Sequence, residues 1–327
     1  MKKCYLGIDI GSVSTNIIVM DEQENVLDTL YIRTQGKPIE TIKKGLMQTK
    51  KKLDRHTEIA GVGTTGSGRQ LGGMMVGADV IKNEITAHGV AALHYVPDVK
   101  TIIEIGGQDS KIILLRNGIL YDFAMNTVCA AGTGSFLDRQ AERLGIPIEE
   151  FGKLALKSKS TVRIAGRCAV FAESDMIHKQ QLGHNQEDII NGLCEALARN
   201  YLNNLGKGKE IVAPVIFQGG VAANVGIRKA FERILGCEII VPPHASVMGA
   251  IGAALLAKEE VAKKGKTDFK GFEIAESSYK VKSFECDKCP NMCEVVEFYR
   301  DHTLVARWGD KCGRWSNTTN IPKEQLA

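Results

Sequence analysis

The sequence predicts an α/β protein of two duplicated lobes with a small cysteine-rich appendage, and three observations carry that reading. Tyr5-Leu-Gly-Ile-Asp-Ile-Gly-Ser-Val-Ser-Thr and Thr101-Ile-Ile-Glu-Ile-Gly-Gly-Gln-Asp-Ser-Lys repeat one pattern about 95 residues apart: an apolar strand ending in an acid, a glycine turn, a second strand. Pro214-Val-Ile-Phe-Gln-Gly-Gly-Val-Ala-Ala-Asn adds a third strand-plus-glycine unit, followed by a small-residue helix over 246–257. After Ala257 a charged, glycine-containing stretch over 258–282 leads into a tail with four cysteines. The expected division is lobe I over 1–98, completed by a helix at about 244–262, lobe II over 99–243, and a linker and tail over 263–327.

Within each repeat the second strand, Asn16 to Met20 or Lys111 to Leu115, runs into a polar turn, Asp21 to Asn25 or Arg116 to Gly118, that returns the chain as a meander. With 327 residues, 44% of them hydrophobic, the chain can bury a full core. The net charge of +4 is dispersed among acids, and the one dense basic run, Lys50 to Lys52, reads as a solvated helix face, so neither nucleic acid nor membrane is expected as a partner. The opening apolar run stops at Asp9, too short for a signal core or a membrane span, and a cytoplasmic home is expected. Nine cysteines are many for a reducing compartment and point to metal or redox chemistry.

An acid at a strand end followed by glycines suits phosphates and their metal, because glycine lets backbone N–H groups approach a ligand. One turn, with Gly11 and the hydroxyls of Ser12, Ser14 and Thr15, is expected to grip the outer phosphates of a nucleotide; the other, Gly106-Gly107, presents Gln108 and Asp109 to an attacking water. Asp9 and Glu104 are the matching acids, and Asp9 is expected to orient the waters of Mg2+. A single glycine pair is more often a plain hairpin; three such units in order argue otherwise. No G-x-x-x-x-G-K-S/T string occurs.

Cys129 and Cys168 share a setting: each precedes a predicted helix, starting near Thr133 and Ala169, whose N-terminal partial charge favours a thiolate. Two thiols make half of a four-thiolate iron-sulfur site, which a twofold dimer would complete. The plainer reading is a small buried hydrophobe, which suits Cys4, Cys194 and Cys237. His88, His178 and His184 lack a second ligand at metal spacing and are expected in surface or capping roles, and Glu84 and Arg69 are expected near the cleft.

The glycine turns, with Phe217-Gln-Gly-Gly-Val-Ala-Ala-Asn224, resemble the phosphate and adenosine motifs of the acetate kinase, sugar kinase, heat-shock chaperone and actin superfamily. That resemblance implies a duplicated actin-like, ribonuclease H-like two-lobed ATPase fold with nucleotide between the lobes. It assigns Gln218, Gly219, Gly220 and Asn224 to adenosine. The strings DIGSVST, GTTGSGR, NEITAH, IGGQDSK, NTVCAAGTGSFLD, RCAVFAESD and FQGGVAAN, over roughly 3–260, resemble the activators (component A) of 2-hydroxyacyl-CoA dehydratases and the related ATPase subunits of benzoyl-CoA reductases. This implies that Lys111, Gly132, Thr133 and Gly134 join the nucleotide-binding set. It also implies a homodimer bridged by one 4Fe-4S cluster on Cys129 and Cys168 of each chain. Ferredoxin or flavodoxin would reduce it, and ATP hydrolysis would drive one electron into a low-potential metal-cluster enzyme. Asn16, where that family carries lysine, and Glu104, where it carries aspartate, depart from the pattern.

Cys286, Cys289, Cys293 and Cys312 follow C-x2-C-x3-C with a fourth cysteine 19 positions later, spacing that serves Zn2+ or a second iron-sulfur cluster, with Phe298, Trp308 and Trp315 to pack around it. Free surface thiols are the plain alternative. Two other functions share the fold: a small-molecule kinase using Asp109 as base, which leaves Cys129 and Cys168 unexplained, and a nucleotide-gated binding module, for which a substrate domain is lacking.

Overall fold

The computed structural model describes residues 2–126 and 129–316. Thr127 and Val128 of the NTVCAAGTGSFLD string, and 317–327 of the expected tail, lie outside the described residues. The chain divides into two compact units, Met1–Lys82 with Leu256–Ala327 and Asn83–Leu255.

The first unit opens with β1 (Lys2–Ile10), β2 (Ser14–Asp21) and β3 (Val26–Arg33), then α1 (Pro38–Lys52), β4 (Thr57–Thr65), α2 (Arg69–Val76) and β5 (Val80–Ile81). Its sheet has the order β3-β2-β1-β4-β5, an antiparallel meander continued by two parallel strands. Covered on both faces, β1 is a near-continuous apolar run, with Cys4, Leu6, Ile8 and Ile10 buried. The edge strand β3 alternates half-buried with exposed residues. In α1, proline enters the first turn, Glu40 lies near the N-terminus and the exposed Lys50 to Lys52 near the C-terminus, all of which suit the helix dipole.

The second unit comprises α3 (Glu84–Tyr95), β6 (Thr101–Ile105), β7 (Ser110–Arg116), β8 (Ile119–Asn126), α4 (Gly134–Leu144), α5 (Ile148–Ala155), α6 (Ala169–Gln181), α7 (Gln186–Tyr201), β9 (Val215–Gln218), α8 (Val225–Leu235) and β10 (Ile239–Ile240). Read from β8, its sheet runs β8-β7-β6-β9-β10, the same meander with the same two parallel strands. The duplication expected from the glycine repeats is therefore present strand for strand. Both expected second strands and their return turns are there. The β7–β8 turn places Asn117 and Gly118 at φ 52° and 74°, the two left-handed positions that a two-residue hairpin requires.

The expected helix over 246–257 begins two residues later and runs further, as α9 (Met248–Lys264), because Lys258-Glu-Glu-Val continues in helix-forming residues. The division between the units falls within it. The charged stretch beyond is tied down: the Thr267 hydroxyl and the Asp268 N–H both donate to Asp79, at 2.7 Å. The tail is an antiparallel sheet of β11 (Tyr279–Glu285), β12 (Glu294–Arg300) and β13 (Thr303–Trp308). Phe298, Ala306 and Trp308 join the core of β1 and α1, so two of the three aromatics expected around the cysteines pack elsewhere. No described helix is long and apolar enough to cross a membrane.

Candidate functional site

Corresponding rungs cross the centres of the two sheets. In the first, Asp9 at the end of β1 stands opposite Asn16 of β2 and Thr65 of β4. In the second, Glu104 of β6 stands opposite Lys111 of β7 and Gln218 of β9. Gly66 and Gly219 follow the parallel strands at φ 87° and 89°, where a Cβ would lie within 2.7 Å of the acid's carboxylate and of the carbonyl of the residue after the acid, Ile10 or Ile105. Only glycine permits that approach.

The first rung carries the neutral Asn16 where the second carries Lys111. Asn16 and Thr65 are buried, yet the Asn16 Oδ1 and Thr65 Oγ1 find no hydrogen-bond partner among the described residues. In the adjoining turn the Gly11 N–H donates to the Ser14 carbonyl at 2.9 Å, Ser12 is exposed and Ser14 half-buried. Thr15 is fully buried, its hydroxyl 3.1 Å from that of Thr34, which places it inside rather than at the turn's surface.

The second rung is filled. The Lys111 ammonium, 2% exposed, lies 3.0 Å from Glu104, 3.0 Å from Asp109 and 3.4 Å from Glu84. Burial works against its charge, but the three carboxylates outweigh burial and push its pKa up. Burial raises the pKa of Glu104, against the pull of Lys111. Glu84 and His88 share a face of α3, and the buried His88 Nδ1 lies 2.8 Å from Gln218 Nε2. Burial, aided by Lys111, lowers its pKa to about 4. His88 is thus a core residue and not a surface or capping one; its i, i+4 spacing from Glu84 in NEITAH was the available signal. His178 and His184 are exposed as expected.

The Gly106-Gly107 turn is bonded to the next functional segment. Gly134 and Ser135, the first residues of α4, donate N–H groups to the Gly106 and Gly107 carbonyls at 2.9 Å. Gln108 is exposed and Asp109 half-buried. Gly132 and Thr133 are buried, with the Thr133 hydroxyl donating to Ala130 at 2.8 Å, so they shape the turn that leads into α4. Gly220 is exposed, and Asn224 caps α8, its Oδ1 accepting from the Gly226 and Ile227 N–H groups at 3.0 and 3.1 Å.

Cys129 and Cys168 are free, half-buried thiols. As expected, helices follow both: α6 starts directly after Cys168, and α4 starts at Gly134, after a one-turn 3-10 helix at Ala130–Gly132. Asn126 brackets Cys129, accepting from its N–H at 3.0 Å and donating to its carbonyl at 2.9 Å. Asn200 of α7 touches both cysteine loops. Its Nδ2 donates to the Gly166 carbonyl at 2.5 Å, and its Oδ1 packs against Gly132, where a Cβ would come within 2.9 Å. Neither asparagine stands out in the sequence. A cavity of about 590 Å3 beside Cys168 is lined by Arg163, Arg167, Arg199, Phe171 and Asp175. Cys4 and Cys194 are buried as expected, and burial pushes the Cys194 thiol up to about 12.

Duplicated sheets with acid-and-glycine turns on their central strands define an actin-like ATPase fold. Residues 6–257 match the BadF/BadG/BcrA/BcrD ATPase family, and the chain belongs to it. It is 38% identical over 262 residues, covering 79% of this chain and 98% of the relative, to the (R)-2-hydroxyglutaryl-CoA dehydratase activating ATPase of Acidaminococcus fermentans. It is 32% identical to the activator of lactoyl-CoA dehydratase of Anaerotignum propionicum, over 79% of this chain and 99% of that one. The structure of the 2-hydroxyisocaproyl-CoA dehydratase activator from Clostridium difficile with bound ADPNP superposes with a TM-score of 0.72 at 34% identity, over 80% of this chain and 97% of that one.

Proposed function

We propose that this chain is an ATP-dependent activase: it binds and hydrolyses ATP with Mg2+ and couples hydrolysis to one-electron transfer into a low-potential metal-cluster enzyme of the 2-hydroxyacyl-CoA dehydratase kind. The observation that carries this reading is the bonding of α4 to the Gly106-Gly107 turn, since α4 is the helix that follows Cys129. A turn that rearranges when the γ-phosphate leaves pulls directly on the cysteine loop, and Asn200 passes the displacement to the loop of Cys168.

In hydrolysis, water attacks the γ-phosphorus, the bond to the bridging oxygen breaks, and ADP and phosphate leave. Gln108 orients the water, while Lys111 fixes Asp109 beside it. The unpartnered oxygens of Asn16 and Thr65, flanking Asp9, fit the preference of Mg2+ for oxygen donors and its retained waters.

Cys129 and Cys168, half-buried at helix starts, fit one half of a 4Fe-4S site, which a second copy of the chain completes. When bound, such a cluster supplies one-electron redox chemistry. The apolar surface of α6 supports a dimer: Val170 and Phe171, just after Cys168, are 68% and 65% exposed, and Ile177 and Leu182 extend the face. Ferredoxin or flavodoxin in the cytoplasm is the proposed donor.

Anoxic purification tests this reading. The expected product is a brown dimer with about four core irons, whose spectrum responds to ATP and which shows no sugar phosphorylation. Cys129→Ala abolishes that signal; a variant that keeps it refutes the assignment.

A further inference from the structure

We infer that the tail holds a thiophilic metal centre of its own, ligated by Cys286, Cys289, Cys293 and Cys312. This segment lies beyond residues 6–257, which carry the family match, so the site is an addition to the activase core.

Three features bring the segments that carry the cysteines to one end of the tail sheet. The loop joining β11 to β12 spans 286–293 and carries three of them, closed at its base by the Cys286 N–H donating to the Cys293 carbonyl at 2.8 Å. The strand end after β13 returns to the same place: at Gly309 a Cβ would lie 2.3 Å from the Glu294 carbonyl, next to Cys293. Asp310 then accepts from the Trp315 N–H at 2.8 Å, closing a turn around Cys312, and the Trp315 indole N–H donates to Cys286 Sγ at 3.3 Å. Of the three expected aromatics, Trp315 is the one that packs here.

Among the described residues the loop has little apolar packing to hold its shape. Residues 287–292 are all exposed, and the local apolar cluster is only Cys286, Val295 and Trp315 with Phe284 and Cys293 against them. A loop so poor in buried surface gains order from a metal staple. The indole N–H on Cys286 is the kind of outer hydrogen bond that steadies a ligating thiolate. Among the described residues no three candidate ligands converge on one point, so closure requires the two exposed thiols, Cys289 and Cys312, to turn towards Cys286 and Cys293. Ligation releases four thiol protons.

The test compares the full chain with the double variant Cys289→Ser/Cys312→Ser, whose altered side chains are exposed and outside any core. Both are reconstituted anoxically with Zn2+ in one arm and with iron and sulfide in the other. The full chain is expected to retain about one zinc, or about four additional irons, per chain that the double variant lacks, with core iron equal in both. Cobalt(II) titration should give thiolate-to-metal absorption in the full chain only. The arm that loads decides between ion and cluster. Because the increment is read as a difference, it persists in a Cys129→Ala background even if the core assignment fails. Equal metal contents in chain and variant in both arms overturn the inference.

Discussion

The two sheets share a strand order and a central acid but fill the place beside that acid in opposite ways. Beside Glu104 stands Lys111, an ammonium among three carboxylates; beside Asp9 stands Asn16, neutral, with an unused oxygen. One copy has neutralised its acid internally and become a rigid anchor. In the other, the corresponding position is neutral. The duplicated rungs have thus diverged in charge, and the contrast can be broken from either side.

Breaking the filled rung has the largest expected effect. Lys111→Met removes the charge while keeping the bulk, stranding Glu104, which is 4% exposed, beside Asp109 and Glu84. Removing one partner of a buried ion pair costs about 3–5 kcal/mol. The urea midpoint of unfolding should fall accordingly; a loss under about 1 kcal/mol, the range of exposed pairs, refutes the anchor role.

Next in size is the pH dependence of His88. Its pKa is 6.5 in the open chain and about 4 when folded, because burial and then Lys111 disfavour its charge. Between those values the unfolded chain takes up a proton that the folded chain refuses, so stability falls as pH drops from 6.5 towards 4. The difference is on the order of 3 kcal/mol. His88→Gln removes that part of the slope, which urea titrations at pH 7 and pH 5 will read; an unchanged slope refutes it.

How much of this was legible follows the same division. Periodicity and punctuation gave the meanders, since a strand–glycine–strand pattern is local, and the paired thiols before helix starts were equally local. What stayed hidden depended on tertiary neighbours. The resemblance puts Lys111 in the nucleotide-binding set, but only the fold shows its ammonium beside carboxylates from α3, β6 and the β6–β7 turn. His88 reads as a surface histidine because its partner, Gln218, is 130 positions away. Phe298 and Trp308 lie near the cysteines in sequence, but alternation along β12 and β13 turns them into the core of the first unit.

Asn200 tests whether the filled unit transmits what happens at its turn. Asn200→Ala deletes the bond to Gly166 and the packing on Gly132, at a cost of about 1–3 kcal/mol. Both Cys129 and Cys168 should then alkylate faster in the metal-free protein. Faster reaction at Cys168 alone means that the asparagine does not join the loops.

The smallest effect, and the sharpest test of the contrast, comes from making the first rung resemble the filled one. Asn16→Lys places in β2 the residue that β7 carries at the corresponding position, opposite Asp9 as Lys111 is opposite Glu104. The new ammonium pairs with Asp9 and competes with any cation there. Mg2+ affinity, measured by calorimetry with a non-hydrolysable nucleotide present, should weaken about tenfold, or about 1.4 kcal/mol. Stability in the absence of nucleotide should hold or rise, because a buried oxygen without a partner is replaced by a paired charge. That opposite movement separates a metal-receiving rung from a merely imperfect one: if Asn16 were only a packing defect, lysine would change stability and leave Mg2+ affinity where it was.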